Sequence, residues 1–156
     1  DIVFRHEGTL DKFIGDELMA VWGAPVEQTD HVERAVRAAL EMRRSLEDWN
    51  RFRVANGVNP VLARTAINTG QLVAGYMGST KTLSYTVIGD TVNTASRLCH
   101  HAQSGQILVS DPVTSALGDR MKYETFEPVK FKGKSHDVNI YNVLSFAQGT
   151  YEPTED

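Results

Sequence analysis

The chain has 156 residues, of which 41% are hydrophobic and 23% charged, ordinary values for one soluble globular domain. Its formal net charge of −4 gives no general attraction to nucleic acid or to an anionic membrane, so we expect neither as a partner. Cys99 is the single cysteine, which excludes an internal disulfide and favours a reducing compartment. No apolar run approaches the roughly 20 residues of a membrane span, and no signal peptide is visible. We therefore expect a cytoplasmic domain, and a membrane tether elsewhere in the polypeptide stays open.

Two short apolar runs, Leu10 to Ile14 and Leu18 to Trp22, are separated by Gly15-Asp16. Both runs are compatible with β-strands, and glycine supports the positive φ that a tight turn needs. We predict a β-hairpin that carries an aspartate at its tip and a lysine, Lys12, inside its first strand.

The spacing of apolar residues changes after Asp30 and predicts an amphipathic helix. Asp30 with Glu33 resembles a capping box, and Asn56-Gly57 is a typical C-terminal stop. The apolar residues that recur at helical spacing are Val32, Ala35, Ala39, Met42, Leu46 and Trp49. We expect this helix to be purely structural.

The rest of the chain mixes strands with two further helices. Apolar and β-branched runs predict strands within 61–76, 83–88, 106–110, 121–126, 129–131 and 139–144, and helices near 90–103 and 111–117. The run over 61–76 is predicted to be interrupted at Thr69-Gly70. Because several strands follow one another as in hairpins, the predicted fold class is α+β, with helices packed on a largely antiparallel sheet. Residues 147–156 are predicted to form a polar tail.

The helix over GDTVNTASRLCHHA carries a polar pair. Its predicted apolar stripe consists of Val92, Ala95, Cys99 and Ala102. Asn93 and Arg97 are four residues apart and are predicted to project together from a roughly opposite face. An amide and a cationic fork suit a phosphoryl group whose charge is shifting. Taken alone, a solvated helix face with a routine arginine is the simpler explanation.

Three other candidates have equally plain alternatives. Asp16 could ligate Mg²⁺ or simply form the turn, and the stem of Lys12 could extend out of its strand into solvent. The basic cluster KFKGK, Lys130 to Lys134, suits phosphate but is also typical of a solvated loop. The five histidines show no metal-ligand spacing, and no Walker A motif is present.

Taken together, these residues resemble one family, the class III nucleotidyl cyclases, whose catalytic domain makes cyclic AMP or cyclic GMP. The resembling segments are DKFIGDELMAVWGAP, YTVIGDTVNTASRL and FKGK, and with the pattern between them they cover essentially the whole chain. The resemblance implies a ferredoxin-like fold and a partial catalytic domain over residues 1–146.

The resemblance also implies a role for each residue of the hairpin. Asp16 matches an aspartate that ligates catalytic Mg²⁺ or Mn²⁺, and the complete domain is expected to use two ions. Lys12 matches the residue that reads the purine, which is lysine for adenine and glutamate for guanine. Thr86 matches the second base reader and is similar to a largely bacterial subgroup whose members are often stimulated by bicarbonate. Both readers indicate ATP.

The sugar and phosphates would contact the polar helix face and the basic loop. Asn93 matches the residue that orients the ribose, Arg97 the one that meets the transition-state charge, and Lys132 the one that grips the terminal phosphates. The implied reaction is attack of the ribose 3′-oxygen on the α-phosphorus, which yields cyclic AMP and pyrophosphate. Sites of the family lie between the chains of a head-to-tail homodimer, so Lys12 and Asp16 would serve opposite sites.

Part of the family's pattern is absent from the chain. The first metal aspartate of the family lies in a Phe-x-Asp-Ile-x-Gly-Phe-Thr stretch well before the hairpin, and Asp1-Ile2 is too close to Asp16 to match it. Because the chain also opens without methionine, we expect an incomplete domain that lacks the sheet's first strand and two helices. Thr82 is a lesser departure, near a position where relatives often carry arginine.

Two alternative functions stay open. The first is a degenerate cyclase-like module that senses nucleotide or dimerises without turnover, which the missing aspartate favours. The second is a guanylyl cyclase, which Lys12 and Thr86 disfavour.

Overall fold

The computed structural model describes residues 1–147, so the predicted polar tail lies outside the described residues except for Ala147. The elements follow along the chain as α1 (Ile2–Arg5), β1 (Thr9–Ile14), β2 (Glu17–Val21), α2 (His31–Ala55), β3 (Thr65–Ile67), β4 (Val73–Ser79), β5 (Thr82–Ile88), α3 (Asp90–His101), β6 (Ile107–Ser110), α4 (Asp111–Leu117), β7 (Met121–Val129) and β8 (Val138–Phe146). A single 3-10 turn, Gly118–Arg120, joins α4 to β7.

Within residues 1–147 the strands pair into three sheets. β1 pairs antiparallel with β2, β4 pairs antiparallel with β5, and a four-stranded sheet has the order β3-β6-β8-β7. In the four-stranded sheet β3 and β6 run parallel, whereas β8 is antiparallel to both of its neighbours. The predicted α+β class and the largely antiparallel pairing are therefore confirmed.

The predicted helix after Asp30 is confirmed as α2, but its predicted capping box is wrong. The Asp30 side chain makes no cap hydrogen bond, and its Oδ1 instead accepts from Nε of Arg34 at 2.7 Å. The backbone of Asp30, at φ −110° and ψ 24°, is not in the extended region that aims a capping side chain at the first turn. Neither α2 nor any other helix of the described residues is both long and apolar enough to cross a membrane.

The predicted C-terminal stop of α2 is confirmed. Gly57 has a φ of +74°, its N–H donates to the carbonyl of Val54 at 3.0 Å, and Val58 N–H donates to that of Arg53 at 2.9 Å. This is the pattern of a Schellman cap, in which glycine adopts the left-handed conformation without a Cβ clash. The cap turns the chain from α2 back toward β3.

β6 is buried along its whole length and separates two apolar clusters. Ile107 and Val109 pack with buried residues of α2, α4 and β8, whereas Leu108 packs with Leu98 of α3 and with Phe131. Successive side chains of a strand point to opposite faces, so one short strand anchors helices on both sides. The helix that carries the polar pair is thereby fixed on the sheet.

The interruption predicted at Thr69-Gly70 within the extended run 61–76 is confirmed, since β3 ends at Ile67 and β4 begins at Val73. The middle of this run is held by α3 rather than by a neighbouring strand, because Nδ2 of Asn68 donates to the carbonyl of Thr91 at 3.0 Å. Thr91 Oγ1 in turn donates to the carbonyl of Gln71 at 2.6 Å. These two bonds replace strand pairing and connect β3, the loop and the first turn of α3.

The strand predicted over 129–131 is wrong. β7 ends at Val129, and Phe131 turns inward to 9% exposure in the cluster around Leu98. An apolar residue after a strand can continue the strand or fill the core, and local periodicity does not separate these outcomes. The inward turn of Phe131 ends the strand and begins the FKGK loop.

Candidate active site

The predicted hairpin is confirmed, and it exposes Asp16 at its tip. β1 and β2 pair as far as Ile14 with Glu17, and Gly15 has a φ of +62° in the turn. The carboxylate of Asp16 is exposed, and no hydrogen bond or ion pair within residues 1–147 engages it. It is therefore accessible to a ligand.

The first strand of the hairpin contains a β-bulge at Asp11. Leu10 pairs with Ala20 and Lys12 with Met19, so Asp11 is one extra residue on β1. Neighbouring side chains of a regular strand point to opposite faces, but a bulge redirects one of them. Accordingly, Nζ of Lys12 lies 3.6 Å from Oδ2 of Asp11.

Thr86 joins this pair from β5. Its Oγ1 donates to Oδ2 of Asp11 at 3.2 Å. The side chain of Asp11 is 3% exposed, whereas that of Lys12 is 44% exposed. The structure therefore brings Lys12 and Thr86, the two residues predicted to contact the base, to one buried carboxylate.

Sequence reasoning missed Asp11. An aspartate next to a lysine within an apolar strand was the available signal, but strand alternation predicts that the two side chains point apart. Their proximity depends on the bulge, which is defined by the pairing of β1 with β2.

The helix α3 has a different buried face from the predicted one. Its buried residues are Thr94 at 3% and Leu98 at 0% exposure, and Ala102, the residue that follows the helix, is 3% exposed. Of the predicted stripe only Ala102 is buried, because Leu98, the largest apolar residue of the helix, is the one that packs against β6. Each residue turns an α-helix by about 100°, so Asn93 and Arg97 lie beside the buried face and not opposite it. Asn93 is exposed and Arg97 is half-buried.

The FKGK loop is attached to α3 at both of its ends. Phe131 is buried in the same cluster as Leu98, and Lys134 Nζ forms an ion pair with the carboxylate of Asp90. Asp90 is the first residue of α3 and not its N-cap, which is Gly89, so its side chain is available for this pair.

The middle of the loop passes close to the polar pair of α3. A Cβ built on Gly133 would lie 3.8 Å from Nη2 of Arg97, and Gly133 has a φ of +85°. Lys132, the residue before Gly133, is exposed. The loop backbone next to Lys132 therefore lies beside Arg97, with Asn93 one turn before Arg97 on the same helix.

The six predicted site residues fall into three groups. Lys12 and Thr86 meet at Asp11, and Asn93 and Arg97 lie with Lys132 along α3. β5, which carries Thr86, packs against both β1 and α3, so these two groups are neighbours. Asp16 stands apart, and no hydrogen bond or ion pair of the described chain connects it to either group.

The described residues contain no group of three or more His, Cys, Asp or Glu side chains that could hold a metal ion. Mg²⁺, however, is usually held by one or two carboxylates together with substrate phosphates and waters. Asp16, exposed and unpaired, fits one such position. The remaining ligands would have to come from the substrate, from water or from residues beyond those described.

A cavity of about 500 Å³ lies between β2, α2, β3 and the first turns of α3. Small and apolar side chains contribute much of its lining, among them Met19, Val21, Ala35, Ala66, Val92 and Ala95. None of the six predicted site residues lines this cavity. The candidate residues therefore lie outside this cavity.

Cys99 is the thiol of α3. Burial raises the pKa of the Cys99 thiol, and the negative charge of Glu17 raises it further. Together these two effects outweigh the opposite effect of Arg64. A thiol with a raised pKa stays protonated at neutral pH and is a weak nucleophile.

Comparison with known proteins identifies the family. The profile of the adenylate and guanylate cyclase catalytic domain matches residues 5–145 of this chain. The chain is 38% identical over 146 residues to Adenylate cyclase 1 of Rhizobium meliloti, a match that covers 92% of this chain and 22% of the relative. The chain belongs to the adenylate and guanylate cyclase catalytic domain family, as its motifs predicted. It spans less than a quarter of the length of that relative.

Solved structures of the family have the same fold. The adenylyl cyclase CyaB from P. aeruginosa is 33% identical in sequence to this chain, and the two structures superpose with a TM-score of 0.88. The match covers 94% of this chain and 76% of the CyaB chain. The guanylyl cyclase Cya2 is 32% identical with a TM-score of 0.86, over 96% and 76% of the two chains. The predicted class III cyclase fold is therefore confirmed, and relatives named for either nucleotide are similar to it.

Proposed function

We propose that this domain is an adenylate cyclase, which converts ATP to 3′,5′-cyclic AMP and pyrophosphate. The contact of Lys12 and Thr86 with one buried carboxylate carries the choice of ATP, because it holds two candidate base-binding groups together. An ammonium can only donate a hydrogen bond. Adenine N1 accepts one, whereas guanine N1 carries a hydrogen and would meet the ammonium donor to donor.

The reaction is proposed as a single displacement at phosphorus. The ribose 3′-hydroxyl loses its proton and its oxygen forms a bond to the α-phosphorus, while the bond from phosphorus to the pyrophosphate oxygen breaks. In this proposal Asn93 holds the ribose, Arg97 stabilises the charge that develops on the α-phosphoryl oxygens, and Lys132 binds the terminal phosphates. Catalysis would come mostly from positioning and from preorganised charge.

Asp16 would hold Mg²⁺ or Mn²⁺, of which two ions are proposed for the complete site. A divalent ion supplies charge neutralisation at the phosphates and makes the 3′-hydroxyl easier to deprotonate. The exposed, unpaired carboxylate at the hairpin tip supports this assignment.

A head-to-tail homodimer is proposed to complete the site. The two hairpins expose large apolar side chains, including Phe13 at 71%, Ile14 at 54%, Tyr76 at 72% and Leu83 at 62%. Exposed apolar groups that cluster on one surface are typical of association sites. A second chain on this surface would enclose candidate residues that a single chain leaves open. With a single cysteine and ATP as substrate, the cytoplasm is the proposed location.

The test is production of cyclic nucleotide by the full natural polypeptide that contains this chain. We expect cyclic AMP from ATP in Mg²⁺ or Mn²⁺, little product from GTP, and a higher rate with bicarbonate. Arg97→Ala is expected to lower kcat by about 10²- to 10³-fold with a small change in KM, because its charge acts in the transition state. Arg51→Ala is the matched control, since Arg51 is 74% exposed on α2.

Other outcomes would select other functions. A folded dimer without turnover in either metal would indicate the second candidate, a nucleotide-sensing or dimerisation module. Preference for GTP would indicate a guanylyl cyclase instead.

A further inference from the structure

The hydrogen bond between Thr86 and Asp11 has a defined direction. Oγ1 of Thr86 lies 3.2 Å from Oδ2 of Asp11, whose side chain is 3% exposed. A carboxylate only accepts hydrogen bonds, so the threonine hydroxyl is the donor at this contact. A hydroxyl has one proton and two lone pairs. Once that proton points at Asp11, Thr86 can offer a ligand only an acceptor.

The neighbouring Lys12 has the opposite character. Its ammonium has three donors and no acceptor, and its side chain is 44% exposed while Nζ stays 3.6 Å from Oδ2 of Asp11. The surface around Asp11 therefore presents a donor from Lys12 beside an acceptor from Thr86. Adenine has an acceptor at N1 next to a donor amino group at C6, whereas guanine has a donor at N1 next to an acceptor oxygen. The pattern complements adenine at both positions and opposes guanine at both.

We infer that Asp11 is the residue that sets the base specificity of this site, by fixing Thr86 as an acceptor beside the donor of Lys12. The inference rests on the proposed function, which assigns Lys12 and Thr86 to the base. Asp11 is a positioning residue: its side chain is too buried to meet the nucleotide, and it acts through the hydroxyl of Thr86. The bulge at Asp11 is required, since it brings this carboxylate to the same side of β1 as Lys12.

Asp11→Asn is the sharpest test, because it changes the direction of the hydrogen bond at nearly constant shape. An amide can donate to Thr86, which frees the hydroxyl proton to point outward at a guanine oxygen. We expect the ratio of ATP to GTP preference to fall about tenfold, the size expected for a hydrogen bond to a charged group. Asp48→Asn is the matched control, because Asp48 is 58% exposed on α2 and pairs with Arg51. Its ratio is expected to equal that of the wild type.

The ratio is measured in two ways on the full natural polypeptide. The first is kcat/KM for ATP and for GTP. The second is equilibrium binding of 3′-deoxy-ATP and 3′-deoxy-GTP, which lack the attacking oxygen and report recognition without turnover. If the wild type binds these analogues selectively but makes no cyclic nucleotide, the proposed function fails and the role of Asp11 is still decided by binding. If the wild type binds neither analogue, both are overturned.

A second background separates this role from a general structural one. In Thr86→Val the hydroxyl is gone, so adding Asp11→Asn should leave the nucleotide ratio almost unchanged. If the carboxylate of Asp11 merely supports the hairpin, Asp11→Asn should instead weaken the recognition of both nucleotides equally. The ratio of ATP to GTP preference should then stay the same in either background. An unchanged ratio in folded Asp11→Asn, or the same shift in the valine background, overturns the inference.

A third comparison does not require Asp11 to change, which matters if Asp11→Asn does not fold. Thr86→Ser keeps a hydroxyl that can donate to Asp11 and is expected to keep the preference for the adenine nucleotide. Thr86→Val is expected to lose most of the preference for the adenine nucleotide. Equal preference in these two variants would also overturn the inference.

Discussion

At Lys12 one side chain combines an accessible ammonium with a link to a buried carboxylate. It is 44% exposed, and its Nζ lies 3.6 Å from Oδ2 of Asp11. Exposure leaves the ammonium free to meet a ligand, while the neighbouring carboxylate limits the directions in which it can point. The sign of the charge at position 12 should therefore decide whether the site is complementary to the hydrogen-bonding edge of adenine or to that of guanine.

Exchanging both proposed base readers should move the preference toward GTP. In Lys12→Glu with Thr86→Cys, a carboxylate can accept from the N–H of guanine and the lysine donor that opposed it is gone. We expect the ratio of kcat/KM for GTP over ATP to rise about a hundredfold or more, since a site that hydrogen-bonds one edge rejects its mismatch strongly. Lys122→Glu, an exposed lysine of β7, is the charge-matched control. Unchanged preference in a folded double variant would refute the base-reading assignment.

At the scale of elements, α1 is tied to α2 through Glu41. Nε2 of His6 lies 2.6 Å from Oε2 of Glu41, and the guanidinium of Arg5 pairs with Oε1. Burial alone would raise the pKa of Glu41, but the hydrogen bonds from Arg5 and His6 outweigh burial, so the pKa of this carboxyl is lowered. A lowered pKa in the folded state means that the charged form stabilises the fold.

The stability contributed by Glu41 should depend on pH in one direction. It is present above the unfolded pKa of 4.5 and is lost as the pH falls through the lower folded value. Glu41→Gln is therefore expected to lower the free energy of unfolding at pH 7 by about 1 kcal/mol or less, after allowance for solvent screening. The difference from the wild type should shrink as the pH falls below 4.5.

Denaturant unfolding at several pH values measures this effect, with Glu47→Gln as the control. Glu47 is exposed on the same helix, and Glu and Gln have similar helix propensities. A difference for Glu41→Gln that stays constant down to about pH 2, well below 4.5, would show that the pairing with α1 does not stabilise the fold.

At the scale of the whole molecule, the two hairpins that carry Lys12, Asp16 and Thr86 expose large apolar side chains. Phe13 on β1 and Tyr76 on β4 are 71% and 72% exposed. Asp16 at the hairpin tip has no described contact with either of the other candidate groups. Both features support a site that is completed by a second chain.

Two inactive variants should restore activity when they are coexpressed. In a head-to-tail dimer one site takes Asp16 from one chain and Arg97 from the other. A heterodimer of Asp16→Ala with Arg97→Ala therefore has one intact and one doubly defective site. Random pairing makes half of the dimers heterodimers, so we expect about one quarter of wild-type activity. Copurification of two tags shows whether heterodimers form, and heterodimers without activity would place both residues in the site of a single chain.

Much of the fold follows from signals that act within a few residues. Gly15-Asp16 between two apolar runs predicts the hairpin, and apolar spacing after Asp30 predicts α2. Both are present in the structure because turn conformation and helix periodicity are local properties. The same local patterns, read together, also identified the cyclase family.

Local signals were less informative where a residue's place depends on distant partners. Phe131 was predicted in a strand but fills the core beside Leu98, and Leu98 itself was omitted from the predicted buried face of α3. Which residue is buried depends in each case on the side chain that fits against β6. The sequence of the helix or of the loop alone does not contain that information.

The sequence by itself determined the family, most of the element types and the candidate side chains for a nucleotide, because these depend on residue type and on short spacing. Tertiary structure decided how those side chains are arranged. Asp11 and Thr86 are 75 positions apart, and they meet because a bulge on β1 turns a carboxylate toward β5. Strand register and the packing of β5 between β1 and α3 are long-range properties, so only the folded chain reveals which hydrogen-bonding edge the site presents.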